Sequence, residues 1–335
     1  MGEARKKTLL VDEWGEVVAL RKGLIVLLKR VKDGKGTRLI KKAEVSPVEL
    51  DSIIFTVKGA SVTLAVLMEA TKYGIDVVLM DNWKPTARLT PASYGGSMRL
   101  WHTQLKAYTN KGRRTKMAAS IALGKVSNQR SNLLYMAKLT TNTRLSSSLR
   151  KAADRINGIS TNLSNAKDVN QVRQIEAAAA REYWRSVAKL IPRSLGFKMR
   201  LKRYSLPKGS ELDPLNVALN ISYGMLQKEV WRAIFAVGLN PYVGFLHVPR
   251  PGRLSLVFDL MEEFRPVIDR TLIVTARRQP SLIAGVKDND SARLSVVRIT
   301  AKSINEIRDN VWTQARVLKD ALMSNSEYKP FKLGY

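Results

Sequence analysis

The chain changes hydrophobic period around Tyr94-Gly95-Gly96-Ser97, and that change restricts it to two dissimilar domains. Upstream, apolar residues alternate or run in short blocks between turn signals, the pattern of strands. Thr8 to Val11, Val17 to Leu20 and Leu24 to Leu28 read this way, separated by Trp14-Gly15 and Lys22-Gly23. Asp33-Gly34-Lys35-Gly36 reads as another turn. Ile53 to Val57 reads as a buried strand ended by Gly59. Ser61 is placed to cap a short helix through Lys72, and Tyr73-Gly74 to stop it. Ile75 to Met80 is a further strand, and Asp81 to Pro85 turn the chain into Thr86 to Leu89.

Downstream, apolar residues recur at helical spacing and strand signals almost vanish. Helices are expected over Met98–Tyr108, Thr115–Ala137, Gln171–Ile191, Asp213–Val237, Leu254–Arg277 and Ile304–Met323. Ser146 to Asn170 is rich in Ser, Asn, Thr and Lys, which suggests a broken helix and a mobile loop. The expected fold class is α+β: a β-sandwich-like domain with one short helix over 1–95, then an all-α domain over 96–335. There is no internal repeat and no low-complexity tract.

Charge narrows the partners. Lys and Arg number 57 against 28 Asp and Glu, a formal net charge of +29. Such a surplus repels itself unless a polyanion offsets it, and nucleic acid gains from the counterions each neutralised phosphate releases. A basic protein without such a partner is the alternative on charge alone. Cysteine is absent, which excludes disulfides, zinc knuckles and thiol nucleophiles and suits a cytoplasmic location. No apolar run approaches the ~18 residues of a membrane span. Met1 to Lys6 lack the apolar stretch of a secretory signal, so no membrane association is expected.

Few residues can carry chemistry. Two histidines occur. His102, on an expected helix start away from acidic residues, reads as a surface or interface histidine. His247 lies in Gly244-Phe245-Leu246-His247-Val248-Pro249, where proline and glycine forbid a regular helix. The helix expected next places Ser255, Asp259 and Glu262 on one stripe at i, i+4 and i+7. Two carboxylates one turn apart, with a histidine delivered from the preceding loop, suit a divalent cation; two solvated acids on a charged face would look the same. Glu176 borders the apolar stripe Val172, Ile175, Ala179 and Tyr183. A carboxylate there needs a cation, either a metal or one of the many arginines. Phosphate-binding loops, dinucleotide fingerprints, zinc-protease helices and nucleophile elbows are missing.

These segments, in this order, resemble the CRISPR-associated protein-one family over almost the whole chain. The resemblance runs from Ile53 through Gly59 and Ser61 to Gly74–Asp81 and Ala87-Arg88-Leu89, then Arg99, Gln104 and Gly124-Lys125-Val126-Ser127-Asn128-Gln129. Ile175-Glu176 with Ala180 and Tyr183 resembles the helix that bears the family's glutamate ligand. The fullest match joins Arg203, Asp213-Pro214-Leu215-Asn216 and Tyr223 to Gly244–His247, then Asp259-Leu260-Met261-Glu262 and Phe264-Arg265-Pro266. Asp213 is an N-cap there, with Pro214 at the first helical position and Gly238 past the end. Gln314-Ala315-Arg316 and Tyr328–Phe331 complete it. The stretch from Asn157 to Asn170 departs from the family by being longer and more polar.

The resemblance implies a DNA integrase and endonuclease that inserts captured DNA into CRISPR arrays. It implies Glu176, His247 and Glu262 as divalent-metal ligands, with Asp259 supporting them through water or a second ion. Oxygen donors with one imidazole favour magnesium or manganese. The implied reaction is in-line attack on a phosphodiester by a DNA 3′-hydroxyl or by water. Arg203, Tyr223, Arg250, Arg253 and Arg265 are candidates for holding DNA, each with an ordinary structural alternative. The implied partners are double-stranded and branched DNA, a second copy through the β domain, and a dimer of the CRISPR-associated protein-two family. A non-catalytic nucleic-acid-binding protein and a metal-dependent ribonuclease are the alternatives; metal dependence and DNA–RNA competition separate them.

Overall fold

The computed structural model describes residues 7–33, 36–81, 84–89, 98–201 and 210–334. The linker expected at Tyr94-Gly95-Gly96-Ser97, the turn residues Gly34-Lys35 and Asn82-Trp83, and Arg203 lie outside them. Internal contacts divide the chain into Met1–Gly96 and Ser97–Tyr335.

The first unit is built of β1 (Lys7–Val11), β2 (Glu16–Arg21), β3 (Leu24–Asp33), β4 (Gly36–Val45), β5 (Leu50–Phe55), β6 (Ser61–Val62), α1 (Leu64–Lys72), β7 (Asp76–Asp81) and β8 (Lys84–Leu89). They form two four-stranded sheets, ordered β1-β5-β7-β8 and β4-β3-β2-β6. The strands β1, β5 and β7 run parallel, and β8 returns antiparallel to β7. The β2–β3 hairpin closes at Arg21 and Leu24 through Lys22 and Gly23, at φ 47° and 77°. Positive φ at both turn residues matches the twist of paired strands, and Gly23 adopts it without a steric penalty. Val11 and Ile53 of one sheet, Val18 and Ile25 of the other, and Val66 and Ala70 of α1 share one core. The unit is therefore sandwich-like with one helix.

One local expectation fails here. Ser61 pairs with Val17 as part of β6, and Thr63 is the residue that precedes α1. A strand to which no expectation was attached, β4, pairs along β3 at the exposed edge of its sheet although its residues are mostly polar. Backbone pairing alone suffices at an edge, where lysines are common.

The second unit contains α2 (Met98–Thr109), α3 (Lys111–Lys138), α4 (Thr143–Ser160), α5 (Val169–Ala188), α6 (Pro214–Ala236), α7 (Ser255–Arg278), α8 (Pro280–Ala284) and α9 (Asp290–Ser324). Side chains of Asn110, Asn142, Asp168, Asp213 and Asn289 accept N–H groups of the helices they precede. Each satisfies orphan donors that would otherwise fray the first turn. The broken helix expected within Ser146–Asn170 is instead an unbroken α4 from Thr143 to Ser160, followed by a 3₁₀ turn over Thr161–Asn165. Asn142 starts it, and Leu149, Ala152, Ala153 and Ile156 bury a helical stripe beneath its polar face. The last long helix begins at Asp290, well before the expected Ile304, because Asn289 caps it.

Helix α3 packs on α4, α5 and α7. Its buried seam is polar as well as apolar: Asn128, Gln129 and Asn132 are buried. Asn128 donates to Glu263 O at 2.8 Å and Phe331 O at 3.0 Å, and accepts from Leu333 N at 2.7 Å. Gly124 permits the close approach, since a Cβ there would lie 2.7 Å from Pro330 and 3.0 Å from Glu263. Tyr328 donates to Glu263 Oε1 at 2.6 Å, and Phe331 stacks on Phe264 with centroids 4.7 Å apart. The segment 328–333 is thus strapped across α3 and α7. Asn128→Ala removes all three bonds and strands buried carbonyls, each worth ~1–3 kcal/mol unpaired. It should lower stability by about 2–4 kcal/mol in chemical denaturation, whereas the exposed control Asn142→Ser should stay near wild type.

Candidate metal centre

The loop between α6 and α7 is fixed from several helices. Gly238, at φ 81°, ends α6. Gln104 of α2 then clamps the chain, donating to Asn240 O at 2.9 Å and Val243 O at 2.7 Å. The carbonyl of Phe245 accepts from Arg114 Nε at 3.2 Å, and that of Leu246 from Arg173 Nε at 2.8 Å. The N–H groups of the same stretch face Asp259. Its carboxylate accepts from Phe245 N, from Leu246 N at 2.9 Å and from His247 N at 2.8 Å. A Cβ at Gly244 would lie 2.6 Å from the backbone of Ser255 and 2.8 Å from Asp259 Oδ2, so only glycine lets the loop this close.

Asp259 also lies 2.8 Å from His247 Nδ1. A carboxylate only accepts, so Nδ1 carries a proton and Nε2 is the ring nitrogen turned towards Glu262. His247 Nε2 is 4.0 Å from Glu262 Oε1. Asp259 is fully buried and committed to these four donors. It supports the imidazole by direct contact, a role beside the one through water or a second ion that the resemblance implies.

Because α3 packs on both α5 and α7, Glu176 and Glu262 converge on Lys125. The Lys125 ammonium bonds Glu176 and lies 2.6 Å from Glu262 Oε2. Arg265, one turn after Glu262, reaches its other oxygen at 3.2 Å. Burial pushes the Glu262 carboxyl up, but Arg265, Lys125 and His247 outweigh it and bring it down to about 2. Burial likewise works against the Lys125 charge, and Glu176 and Glu262 overcome it, holding its pKa above the ordinary lysine value. In the sequence Lys125 is part of the Gly124–Gln129 segment. With Asn128, Gln129 and Asn132 it forms a polar row at i, i+3, i+4 and i+7 inside an otherwise buried helix, a legible sign of internal partners.

The other sequence candidates are placed as follows. Tyr223 is mostly buried; its hydroxyl donates to Asp269, and its ring lies under Arg265 and Arg200, 4.9 and 5.2 Å from their guanidinium carbons. Arg253 leans on Phe258, whose ring is 6.0 Å from that of His247. Arg250 is exposed beyond the loop, and His102 is exposed on α2.

The donor set is hard and anionic with one imidazole, which suits magnesium or manganese. Two carboxylates already gripping one cation form a seat that a divalent ion also fits. Among the described residues, the group whose three acidic or imidazole ligand atoms all lie within 4.8 Å of one another is a different one, Asp12, Glu13 and Glu16. Lysines already pair with two of its three acids. Glu16 is held by Lys42 at 2.6 Å and by the N–H groups of Asp12 and Glu13 at 3.0 Å each. Lys29 and Lys42 hold the Glu13 carboxyl down at about 2.

Within the helical unit, then, Glu176 and Glu262 meet at one ammonium and His247 lies 4.0 Å from Glu262, a set of acid and imidazole donors of the kind that binds divalent cations. The family described as "CRISPR associated protein Cas1" matches residues 9–294. The CRISPR-associated endonuclease Cas1 1 of Saccharolobus solfataricus is 40% identical over 327 residues, 97% of this chain and 84% of that protein. The CRISPR-associated endonuclease Cas1 of Korarchaeum cryptofilum is 31% identical over 335 residues, 97% of this chain and 89% of that one. A casposase bound to integration product shares the fold with a TM-score of 0.77 at 23% identity, over 97% of this chain and 92% of that one. The chain belongs to the CRISPR-associated Cas1 family. No helix among the described residues is long and apolar enough to cross a membrane.

Beneath the centre, burial raises the Asp269 carboxyl from 3.8 to about 7, against the hydrogen bond from Tyr223 and the charge of Arg200. In the unfolded chain Asp269 ionises near 3.8, so the folded state binds the extra proton between the two values. The stability it confers is full below 3.8 and lost as pH rises through about 7. Thermal midpoints of Asp269→Asn should therefore fall less than wild type between about pH 4 and pH 8. Parallel curves for the two proteins would show that Asp269 ionises normally.

Proposed function

We propose that the chain is an integrase and endonuclease of CRISPR adaptation, acting on DNA phosphodiesters with a magnesium or manganese ion held by Glu176, His247 and Glu262. The observation that carries it is the convergence of Glu176 and Glu262, from different helices, on one cation position beside a histidine oriented by Asp259. Family membership and the +29 charge support it. So does the likeness to a structure titled as a casposase bound to integration product.

The ion, when bound, supplies Lewis acidity at a phosphoryl oxygen and charge for the departing oxygen. The rest falls to the chain. Asp259 fixes the His247 tautomer and the loop. Arg265 sits against Glu262, ready to meet phosphate as well as carboxylate. Arg253 and Arg250 carry cations along the loop that leads to α7, and Arg203 and Tyr223 complete the DNA-holding group. With little covalent chemistry for side chains, such positioning contributes much of the rate. The expected partners are branched and double-stranded DNA, a second copy through the β unit, and a Cas2 dimer. A structure titled as a Cas6-RT-Cas1–Cas2 complex shares the fold at TM-score 0.73 and 18% identity, over 98% of this chain and 36% of that one. The protein is expected to act in the cytoplasm.

Glu176→Ala, His247→Ala and Glu262→Ala should each abolish cleavage and strand transfer on a branched duplex in Mn²⁺, with DNA binding retained. Asp259→Asn should cost about 10–100-fold, the scale of losing a ligand's orienting partner. His102→Ala should leave activity near wild type; an inactive His102→Ala with an active His247→Ala would reassign the centre. RNA outcompeting DNA would favour the ribonuclease alternative.

Binding itself should weaken steeply with salt, each phosphate contact adding about 0.9 to the logarithmic slope on duplex DNA. A flat titration between low and physiological salt would show that the charge surplus serves another purpose.

A further inference from the structure

Lys125 is in an unusual position for a lysine. It reaches the two carboxylates from a third helix, and its side chain is only 13% exposed. A buried ammonium is costly unless it is paired, so its position reflects what Glu176 and Glu262 require. We infer that Lys125 is a tethered counter-ion that occupies the cation seat between Glu176 and Glu262 and must be displaced for a divalent ion to bind there. The inference rests on the reading of these carboxylates as metal ligands.

Two arguments carry it. Adjacent carboxylates repel, and without a cation between them they would separate or one would take up a proton. Lys125 removes that repulsion in the metal-free protein and keeps both acids facing one point. The second argument is charge balance. Glu176 and Glu262 supply two negative charges, and Lys125 and Arg265 supply two positive ones. A divalent ion added with Lys125 in place would leave a surplus of two positive charges around Glu262, whose side chain is 4% exposed. Exchange for the ammonium leaves one. Arg265 is the poorer candidate to leave, because its planar guanidinium also lies over the Tyr223 ring. Lysine is a point charge on a flexible four-carbon stem, suited to leaving and returning. Metal affinity is then the outcome of a competition inside the protein.

The test is Mn²⁺ binding to the intact, metal-stripped protein, followed by the paramagnetic resonance of free Mn²⁺. Lys125→Gln should bind Mn²⁺ about tenfold more tightly, on the scale by which outer partners move metal affinity. Lys125→Arg, which keeps the competing cation, should retain the weaker wild-type affinity. Binding by Lys125→Gln that is equal to or weaker than wild type overturns the inference while leaving the metal reading intact. Failure of wild type and Lys125→Gln alike to bind Mn²⁺ removes the metal reading itself, and the inference with it. If Lys125→Gln does not fold, acetic anhydride labelling of the wild type decides. Mn²⁺ saturation should raise acetylation of Lys125, and unchanged labelling there overturns the displacement.

Discussion

One carboxylate organises the loop on which the centre depends. Asp259, fully buried on α7, gathers the N–H groups of Phe245, Leu246 and His247 and the Nδ1 of the imidazole. Successive N–H groups turned towards one anion form a nest, and the nest needs the opposite ends of its peptide units satisfied as well. Arg114 and Arg173 do this at the carbonyls of Phe245 and Leu246. The Phe245–Leu246 and Leu246–His247 peptides are therefore held at both poles, acid on one side and guanidinium on the other. Gly244 is the steric condition for the arrangement.

Helix α3 contributes the complementary constraint. Three residues of its polar row serve different neighbours: Lys125 the two carboxylates, Asn128 the 328–333 strap, Asn132 the Tyr183 hydroxyl and the carbonyl of Pro266. Buried polar groups of this kind add little net stability when paired and cost much when unpaired, so they select one packing among many. Glu263 belongs to the same logic. Burial raises its pKa to about 8 against the donors Tyr328 and Phe331, and it lies next to Glu262 facing the opposite partners.

Much of this was legible in the sequence, for reasons that differ by element. Strands with alternating or continuous apolar residues and helices with full apolar stripes announce themselves by period, so β2, α6 and α7 fall close to their expected bounds, whereas β3 continues past the expected Leu28 to Asp33, where its apolar run gives way to Lys and Arg. The sandwich-like unit followed by helices follows from that same change of period. The strand β4 was hidden because an exposed edge needs no apolar face. Helix α4 was hidden because its buried stripe is narrow, two of its members being alanines, Ala152 and Ala153, between exposed polar residues such as Arg150, Lys151, Asp154 and Asn157. In the centre, His247, Asp259 and Glu262 were legible from their closeness in sequence. Glu176 needed the family resemblance, since a lone acid beside an apolar stripe fits an arginine equally well. The roles of Lys125, Arg114 and Arg173 were not legible, because their partners lie 51, 131 and 73 positions away, and in a chain this rich in cations no single one stands out.

Those separations also bear on how the molecule comes into being. Closing long loops costs chain entropy before any contact repays it, so pairings across such distances form late in folding. Single helices and neighbouring pairs such as α4 and α5 form from local contacts, but the cation seat exists only when α3, α5 and α7 are docked together. A partly folded or nicked chain keeps its basic residues, and with them its attraction to polyanions, while lacking any place where two acids and an imidazole meet. What such a chain keeps is charge; what it loses is the meeting of Glu176, Glu262 and His247.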